Sequence, residues 1–443
     1  MDEAAALELA RDTVKLAHDI GADAVETTVS IGRRFHVEAR EKTLGKLEQS
    51  TGTSLHVRLY AGGRRAFVNT SDLERESIRA AVRIALDQAK YVAADTLAGL
   101  PERCGRFDGD LELFDRAIAD RDDAVKVDDA LTLERMIRDA DARVVNSNGS
   151  HYGDAMSLVA LANSSGFAQA YTSTRASRST GPVAQDGTIK RTAHYGTAGR
   201  YLDALEANDD VARIAARRAV EMFGARKPST MRVPVIFDRD IAAAVLDDLF
   251  AAINAANVAV GNSWLVGRVG ERIGSGLVNI YDDGTLPGKL GSSPFDGEGV
   301  ATRRTPVFEG GVLQTFLYDT YYAKRLGAKT TGNSTGGGVG PNNFYLEAGH
   351  DTLEALIAST KRGVLVTDTI GFATEHASGT YSRGARGFYI ENGERAYPID
   401  EFTIAGNFAE MLAGVDGVAD DLRFDGPVVS PSFRVGEMTV SGN

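Results

Sequence analysis

Apolar positions fall into blocks of two different periods along this chain. Leu7, Ala10, Val14, Ala17 and Ile20 recur near helical spacing, which predicts a helix over residues 3–19 with Gly21 as its stop. The period then drops to two. Val25, Thr27 and Val29 alternate, as do Phe35, Val37 and Ala39, and residues 55–59 continue the strand character. Ala61-Gly62-Gly63 reads as a hairpin turn before Ala66-Phe67-Val68. Ser71 followed by Glu74 has the form of a capping box. The helix it opens should reach Tyr91, with Ile78, Val82, Ala85 and Ala89 inward. A loop-rich passage over 95–125 precedes a helix predicted at 127–142. Strand-like stretches follow near 157–162 and 167–172, then a turn at Asp186-Gly187. Asn208 is placed to cap a helix running through Met222, which Gly224 ends.

Arg226-Lys227-Pro228-Ser229-Thr230 is the best candidate boundary, because it is short, polar and proline-bearing. An apolar strand at 233–237 begins just after it, and Asp238 can cap a helix over 239–254. The remainder is rich in glycine and short strands, with one more helix near 351–361. The pattern describes an α+β protein of two domains: residues 1–226 as a mixed N-terminal domain and residues 231–443 as a β-rich C-terminal domain. There is no fixed-period repeat, and the one low-complexity tract is 332–340.

Composition sharpens this mainly by exclusion. At 443 residues the chain exceeds one ordinary domain, and 43% hydrophobic with 25% charged residues fits a soluble globular protein. A net charge of -12 argues against a general grip on nucleic-acid phosphates. The single cysteine, Cys104, allows neither an intramolecular disulfide nor a cysteine-based metal cluster. The acidic, amphipathic start lacks the form of a signal peptide, and no apolar run is long enough for a transmembrane helix. The expected compartment is the cytoplasm, with no membrane partner.

Candidate chemistry is sparse. The histidines at 18, 36, 56, 151, 194, 350 and 376 include no pair at the close spacing by which a helix presents two ligands to zinc. Gly336-Gly337-Gly338 is followed by Val339-Gly340-Pro341 rather than Gly-Lys-Ser/Thr, so the loop reads as flexible surface, not a phosphate cradle. The acidic segments Asp282-Asp283-Gly284 and Asp296-Gly297-Glu298-Gly299 read as structural turns, although paired carboxylates can serve as acid and base or hold calcium. The richest window is 367–407. There Glu375, His376, Tyr381, Ser382 and Arg383 stand among glycines at 371, 379, 384, 387, 393 and 406. The types needed for nucleophilic catalysis are present, but no nucleophile elbow surrounds Ser382. These five residues are better candidates for touching a partner or a peptide.

A series of short motifs spans the C-terminal half. It includes Asp282-Asp283, Gly291-Ser292, Phe295-Asp296-Gly297-Glu298-Gly299, Gly310-Gly311-Val312-Leu313 and Thr331-Gly332-Asn333. It continues with Gly384-Ala385-Arg386-Gly387-Phe388, Ile390-Glu391-Asn392-Gly393, Tyr397-Pro398, Thr403-Ile404-Ala405-Gly406-Asn407 and Pro431-Ser432-Phe433. Together with a more diffuse likeness in the N-terminal half, this chain resembles the TldD/TldE (PmbA) family, and within it the TldE branch. The resemblance implies a PmbA/TldD-like fold and a place in a heteromeric cytoplasmic metallopeptidase acting on unfolded peptides. In that family TldD carries a zinc helix, HExxxH, and a later cysteine ligand, whereas TldE completes the enzyme as a partner. The corresponding helix here reads Val245-Leu246-Asp247-Asp248-Leu249-Phe250-Ala251-Ala252, with Asp247 and Ala252 near the ligand positions, and residues 420–431 hold no cysteine. The resemblance therefore implies no catalytic, cofactor or metal residue in this chain, and zinc in a TldD-like partner that shares the unfolded peptide with it. One departure is Phe372-Ala373-Thr374-Glu375-His376, where the TldE pattern has an asparagine-containing glycine segment. The alternatives are a metal-independent stand-alone hydrolase using Ser382 and His376, and a peptide-binding or adaptor protein.

Overall fold

The computed structural model of the chain describes residues 1–371 and 374–442. Helix α1 runs Glu3–Asp19, capped by the Asp2 carboxylate, which accepts from the Ala5 N–H. Strand structure then continues through the polar residues between the predicted pieces, with one register shift where Gly45 is left unpaired between Leu44 and Lys46. It yields β1 (Ala24–Arg40), β2 (Thr43–Ala61) and β3 (Arg64–Thr70). The β2–β3 turn places Gly62 at φ 57 and Gly63 at φ 71, positions a side chain would disfavour. Next come α2 (Arg75–Ala89), α3 (Arg116–Ala119) and α4 (Asp123–Asp139). They are followed by β4 (Val144–Asn163), β5 (Ala168–Asp186), β6 (Ile189–Thr192), β7 (Tyr195–Gly199) and α5 (Asn208–Val220).

These strands form one antiparallel sheet in the order β3-β2-β1-β4-β5-β6, with β7 also on β5. Its two faces follow from the two-residue period of the strands. Val25, Val29, Phe35, Val37 and Ala39 of β1 point to the face covered by α1, α2, α4 and α5, where the apolar clusters lie. Glu26 and its cross-strand neighbour Arg58 occupy the other face, toward the second half of the chain.

Two predicted caps are not the ones used. Ser71 and Glu74 form no capping box: Glu74 is itself the N-cap of α2, without a side-chain bond, and its N–H goes to Asp72 Oδ1 at 3.0 Å. Asn208 is the first residue inside α5, and its side chain instead donates to Asp129 Oδ1 at 2.6 Å.

The second half begins with β8 (Met231–Phe237) and α6 (Arg239–Ile253). The strands β9 (Ile280–Asp283), β10 (Arg304–Glu309), β11 (Val312–Leu313), β12 (Phe344–Leu346), β13 (Arg362–Ile370) and β14 (Thr374–Glu375) follow. The last are β15 (Thr380–Glu391), β16 (Glu394–Asn407), β17 (Val415–Val418), β18 (Val428–Val429) and β19 (Phe433–Ser441). One sheet runs β13-β8-β19-β16-β15-β14, and an additional β13–β15 pairing closes most of it into a ring. Gly387 makes that closure possible, since a Cβ there would stand 1.9 Å from the Leu365 carbonyl oxygen. The other sheet is β11-β10-β9-β12-β18, and one large apolar cluster fills the space between the two and around α6.

Two expectations change here. Asp282-Asp283 are not a turn but part of β9, and both are buried. The glycine tract is not simply surface loop, because its ends are anchored on Asp282. Asn333 Nδ2 donates to Asp282 Oδ2 at 2.7 Å, and Asn342 donates from its backbone N–H at 2.8 Å and from its side chain at 2.9 Å. Burial raises the Asp282 pKa to about 6 even though these donors pull it down.

Arg200 joins the halves. Buried beside β5, it donates to the carbonyls of Lys289, Leu290 and Ser292 at 2.8–3.1 Å. Among the described residues no helix is long and apolar enough to cross a membrane.

Candidate functional site

Helix α6 is fixed at its start by Asp238, whose carboxylate accepts from the Asp240 N–H. Val245, Leu246, Leu249, Phe250 and Ile253 form its buried stripe. This stripe leaves Asp247 exposed and Asp248 at the edge of the core, facing β15. Arg383 of β15 closes on Asp248, with Nη2 at 2.8 Å from Oδ1 and 2.6 Å from Oδ2. The two side chains are only 13% and 14% exposed, so a charge-assisted contact shielded from water holds the helix to the sheet.

The strand period separates the other residues of the predicted contact set. Tyr381 and Arg383 share a face of β15, and that face points inward. Tyr381 is therefore not a contact residue. It is 1% exposed, and its ring packs edge-on against Phe237 and Phe408. Among the described residues its hydroxyl has no hydrogen-bond partner, and burial raises its pKa. Ser382 points to the other face, is half-buried and pairs with Ala405 of β16.

Glu375 ends β14, opposite Thr380 of β15, and His376 begins the turn between the two strands. Glu375 is exposed, and its carboxylate accepts from Ser378 Oγ at 3.3 Å. The His376 carbonyl accepts from the Trp264 N–H at 2.9 Å, while its Nδ1 is buried and has no partner among the described residues. Among the described residues no hydrogen bond joins His376 to Ser382, so the structure assembles no Ser–His pair. Arg383 is engaged internally by Asp248 and is not a free surface cation. The start of the unusual segment, Phe372-Ala373, lies outside the described residues.

A zinc site on α6 does not fit these residues. The resemblance puts the two helix ligands near Asp247, which is exposed, and near Ala252, which is 1% exposed and inside the core. Asp248, beside Asp247, is paired with Arg383. Strand β18, within 420–431, packs directly on α6, but Cys104, the only cysteine, lies in the other half. Among the described residues no group of three His, Cys, Asp or Glu side chains is placed to hold a metal ion.

A second constellation lies between the halves, and it was not among the predicted site residues. Arg58 Nη1 stands 3.3 Å from Glu26 Oε1 and 3.5 Å from Glu298 Oε1, and all three side chains are buried. Among the described residues neither Glu26 oxygen has a hydrogen-bond partner. Burial pushes Glu26 up to about 8, with Arg58 pulling down and Glu298 and Asp296 pushing further up. Asp296, also raised by burial and by Glu298, stands at about 7, although it accepts backbone N–H groups from Glu298, Val300 and Ser334. Arg58 and Glu298 form part of the wall of an interdomain cleft of about 1040 Å3, together with Phe67, Asp319, Tyr321 and the Gly336–Gly338 backbone. The sequence signal was a charge set inside each strand pattern: Glu26 between Val25 and Thr27, and Arg58 between Val57 and Leu59.

Comparison with known proteins places this architecture. Three successive segments match family descriptions: residues 25–89 match PmbA/TldA metallopeptidase domain 1, residues 116–223 the central domain, and residues 230–442 the C-terminal domain. The chain is 34% identical over 433 residues to a metalloprotease PmbA homolog of Haemophilus influenzae, covering 97% of this chain and 94% of that one. It is 32% identical to metalloprotease PmbA of Escherichia coli O157:H7, covering 95% and 93%. A crystal structure from Bacteroides thetaiotaomicron, provisionally described as a modulator of DNA gyrase, superposes with a TM-score of 0.91 at 26% identity and covers 98% of each chain. TldE from Thermococcus kodakarensis shares the fold, with a TM-score of 0.90 at 22% identity over 98% of this chain and 100% of that one. With the α6 and β15 geometry and these likenesses in place, the chain belongs to the PmbA/TldD metallopeptidase family.

Proposed function

We propose that this chain is the non-catalytic, TldE-like subunit of a heteromeric TldD/TldE zinc peptidase of the cytoplasm, one that processes unfolded peptides. The observation that carries the reading is α6: an exposed aspartate and a core alanine stand near the zinc-ligand positions that the resemblance implies, and Arg383 locks Asp248 between them. Both Asp248 oxygens are taken by Arg383 Nη2, at 2.8 and 2.6 Å, so this carboxylate is engaged in holding the helix to β15. On this reading the peptidase chemistry belongs to a TldD-like partner that binds zinc, and this chain supplies shape and contacts.

The test is reconstitution. The chain alone, a cognate TldD-type subunit alone and the mixture are each assayed on an unstructured peptide, with and without a chelator. The expected outcome is chelator-sensitive cleavage by the mixture and none by this chain. Chelator-sensitive cleavage by this chain alone overturns the proposal.

A further inference from the structure

The face of the N-terminal sheet turned away from its helices carries two arginines that no acid neutralises. Arg34 of β1 and Arg175 of β5 stand directly across from Ala155 of β4, one on each side of it. Both are exposed, and among the described residues neither forms a hydrogen bond or an ion pair. Of the acids that share this face, Glu48 is paired with Lys46 at 2.8 Å, Glu26 lies 3.3 Å from Arg58, and Glu38 stands beyond His36. Arg200 is close enough to Arg175 to feel its charge, and its own donors go to carbonyl oxygens rather than to an acid. In a chain of net charge -12, cations left together in this way do not reflect a shortage of carboxylates.

The strand register builds a seat between the two. Arg34 and Arg175 are separated by two strand spacings, roughly 10 Å at Cα, so a group centred over Ala155 is within reach of both side chains. Ala155 is buried although the arginines beside it are exposed, as expected where two long stems lean over a small residue. The neighbouring rows on this face hold Gly32, Ser157 and Ser173 on one side, and Gly153 and Ser177 on the other. These residues are all small, and a Cβ at Gly32 would meet nothing within 4 Å. The serine hydroxyls add donors around the seat.

We infer that Arg34 and Arg175 clamp a carboxylate carried by an extended peptide, either its C-terminus or an acidic side chain. A guanidinium presents a planar fork that matches a carboxylate, and two forks from opposite sides hold it more tightly than one. The exposed Ser157 and Ser177 leave the floor open along β4, so the chain can continue on both sides of the seated anion. That the carrier is a peptide rests on the function proposed above, whereas the clamp rests on the two arginines alone. The consequence is a preference for acidic or free-ended peptides that this chain brings without any metal.

Fluorescence anisotropy on the purified full chain tests this. The probe is a short labelled Gly-Ser peptide ending in two glutamates with a free C-terminus, compared with the same peptide ending in two glutamines and an amide. The acidic peptide is expected to bind about tenfold tighter or more, with an affinity that falls as salt rises. Arg34→Gln and Arg175→Gln should each weaken the acidic peptide about tenfold and leave the neutral one unchanged. Circular dichroism and melting should match the native chain, because both side chains are exposed. Equal binding of the two peptides, no binding of either, or variants that bind like the native chain overturns the inference. Inorganic phosphate that displaces the acidic peptide at the peptide's own concentration overturns the assignment to a peptide carboxylate. If the chain fails here while its mixture with a TldD-type subunit still cleaves peptides, the clamp falls and the proposed function stands. If the clamp binds but the chain alone shows chelator-sensitive cleavage, the reverse holds.

Discussion

Two arginines in this molecule each meet carboxylates brought from far along the chain, and the two arrangements differ in kind. Arg383 meets one carboxylate, Asp248, at 2.6 and 2.8 Å, near the edge of the C-terminal core. Arg58 meets two, Glu26 and Glu298, at 3.3 and 3.5 Å, with Asp296 close behind them. The first is a short, balanced pair. The second buries more acid than base between the two halves of the chain, and among the described residues both oxygens of Glu26 lack a hydrogen bond. A balanced pair fixes geometry and silences chemistry. An unbalanced cluster keeps part of its acid protonated, and its contribution to stability must change with pH.

The largest effect is expected from Arg58→Met. Removing the Arg58 cation leaves Glu26 and Glu298 without it, which costs about 3 kcal/mol, the lower end of the range for a broken buried pair because Glu26 can retain a proton. Urea denaturation at neutral pH measures it, and a loss no larger than that for Arg383→Met would erase the contrast. Arg383→Met itself should cost about 2 kcal/mol, since Asp248 lies at the core edge and can regain water. The smallest effect is a slope. Glu26 is raised from 4.5 to about 8 in the folded chain. The folded state then holds the extra proton between those values, so the stabilisation is complete below about pH 4.5 and disappears as pH rises through 8. Stability of the native chain should fall from pH 5 to 8, and Glu26→Gln should flatten that fall by up to ~1.4 kcal/mol per pH unit. Some slope should remain from Asp296, whose pKa is raised to about 7. Parallel pH profiles for the two proteins would contradict this account of the cluster.

What could be read from the sequence was local. Helix α1 was legible because its apolar spacing and its glycine stop lie within one stretch, as were the Gly62-Gly63 turn and the Asp238 cap. The long strands β1 and β2 were visible only as fragments, because polar residues such as Arg33, Arg34 and Gln49 break the apolar alternation where the sheet faces solvent. The Ser71–Glu74 pattern failed because Asp72 claims the Glu74 N–H first.

The site was legible in type but not in arrangement. Tyr381 was grouped with its polar neighbours, yet strand parity and the rings of Phe237 and Phe408 draw it into the core. Arg383 and Asp248 are separated by 135 residues, and no local pattern foretells their meeting. Asp282 looked like turn chemistry because Gly284 follows closely, and only Asn333 and Asn342, folded back over it, show that it is an interior acceptor.

We propose that this chain contributes shape but no metal chemistry to a heteromeric peptidase. The most direct measurement is cleavage of an unstructured peptide by the purified chain, by a TldD-type subunit and by their mixture, followed with and without chelator. The account predicts an inactive chain alone and chelator-sensitive cleavage by the mixture that is unchanged by Asp247→Ala in this chain. Cleavage by this chain alone that a chelator stops and Asp247→Ala abolishes would contradict it.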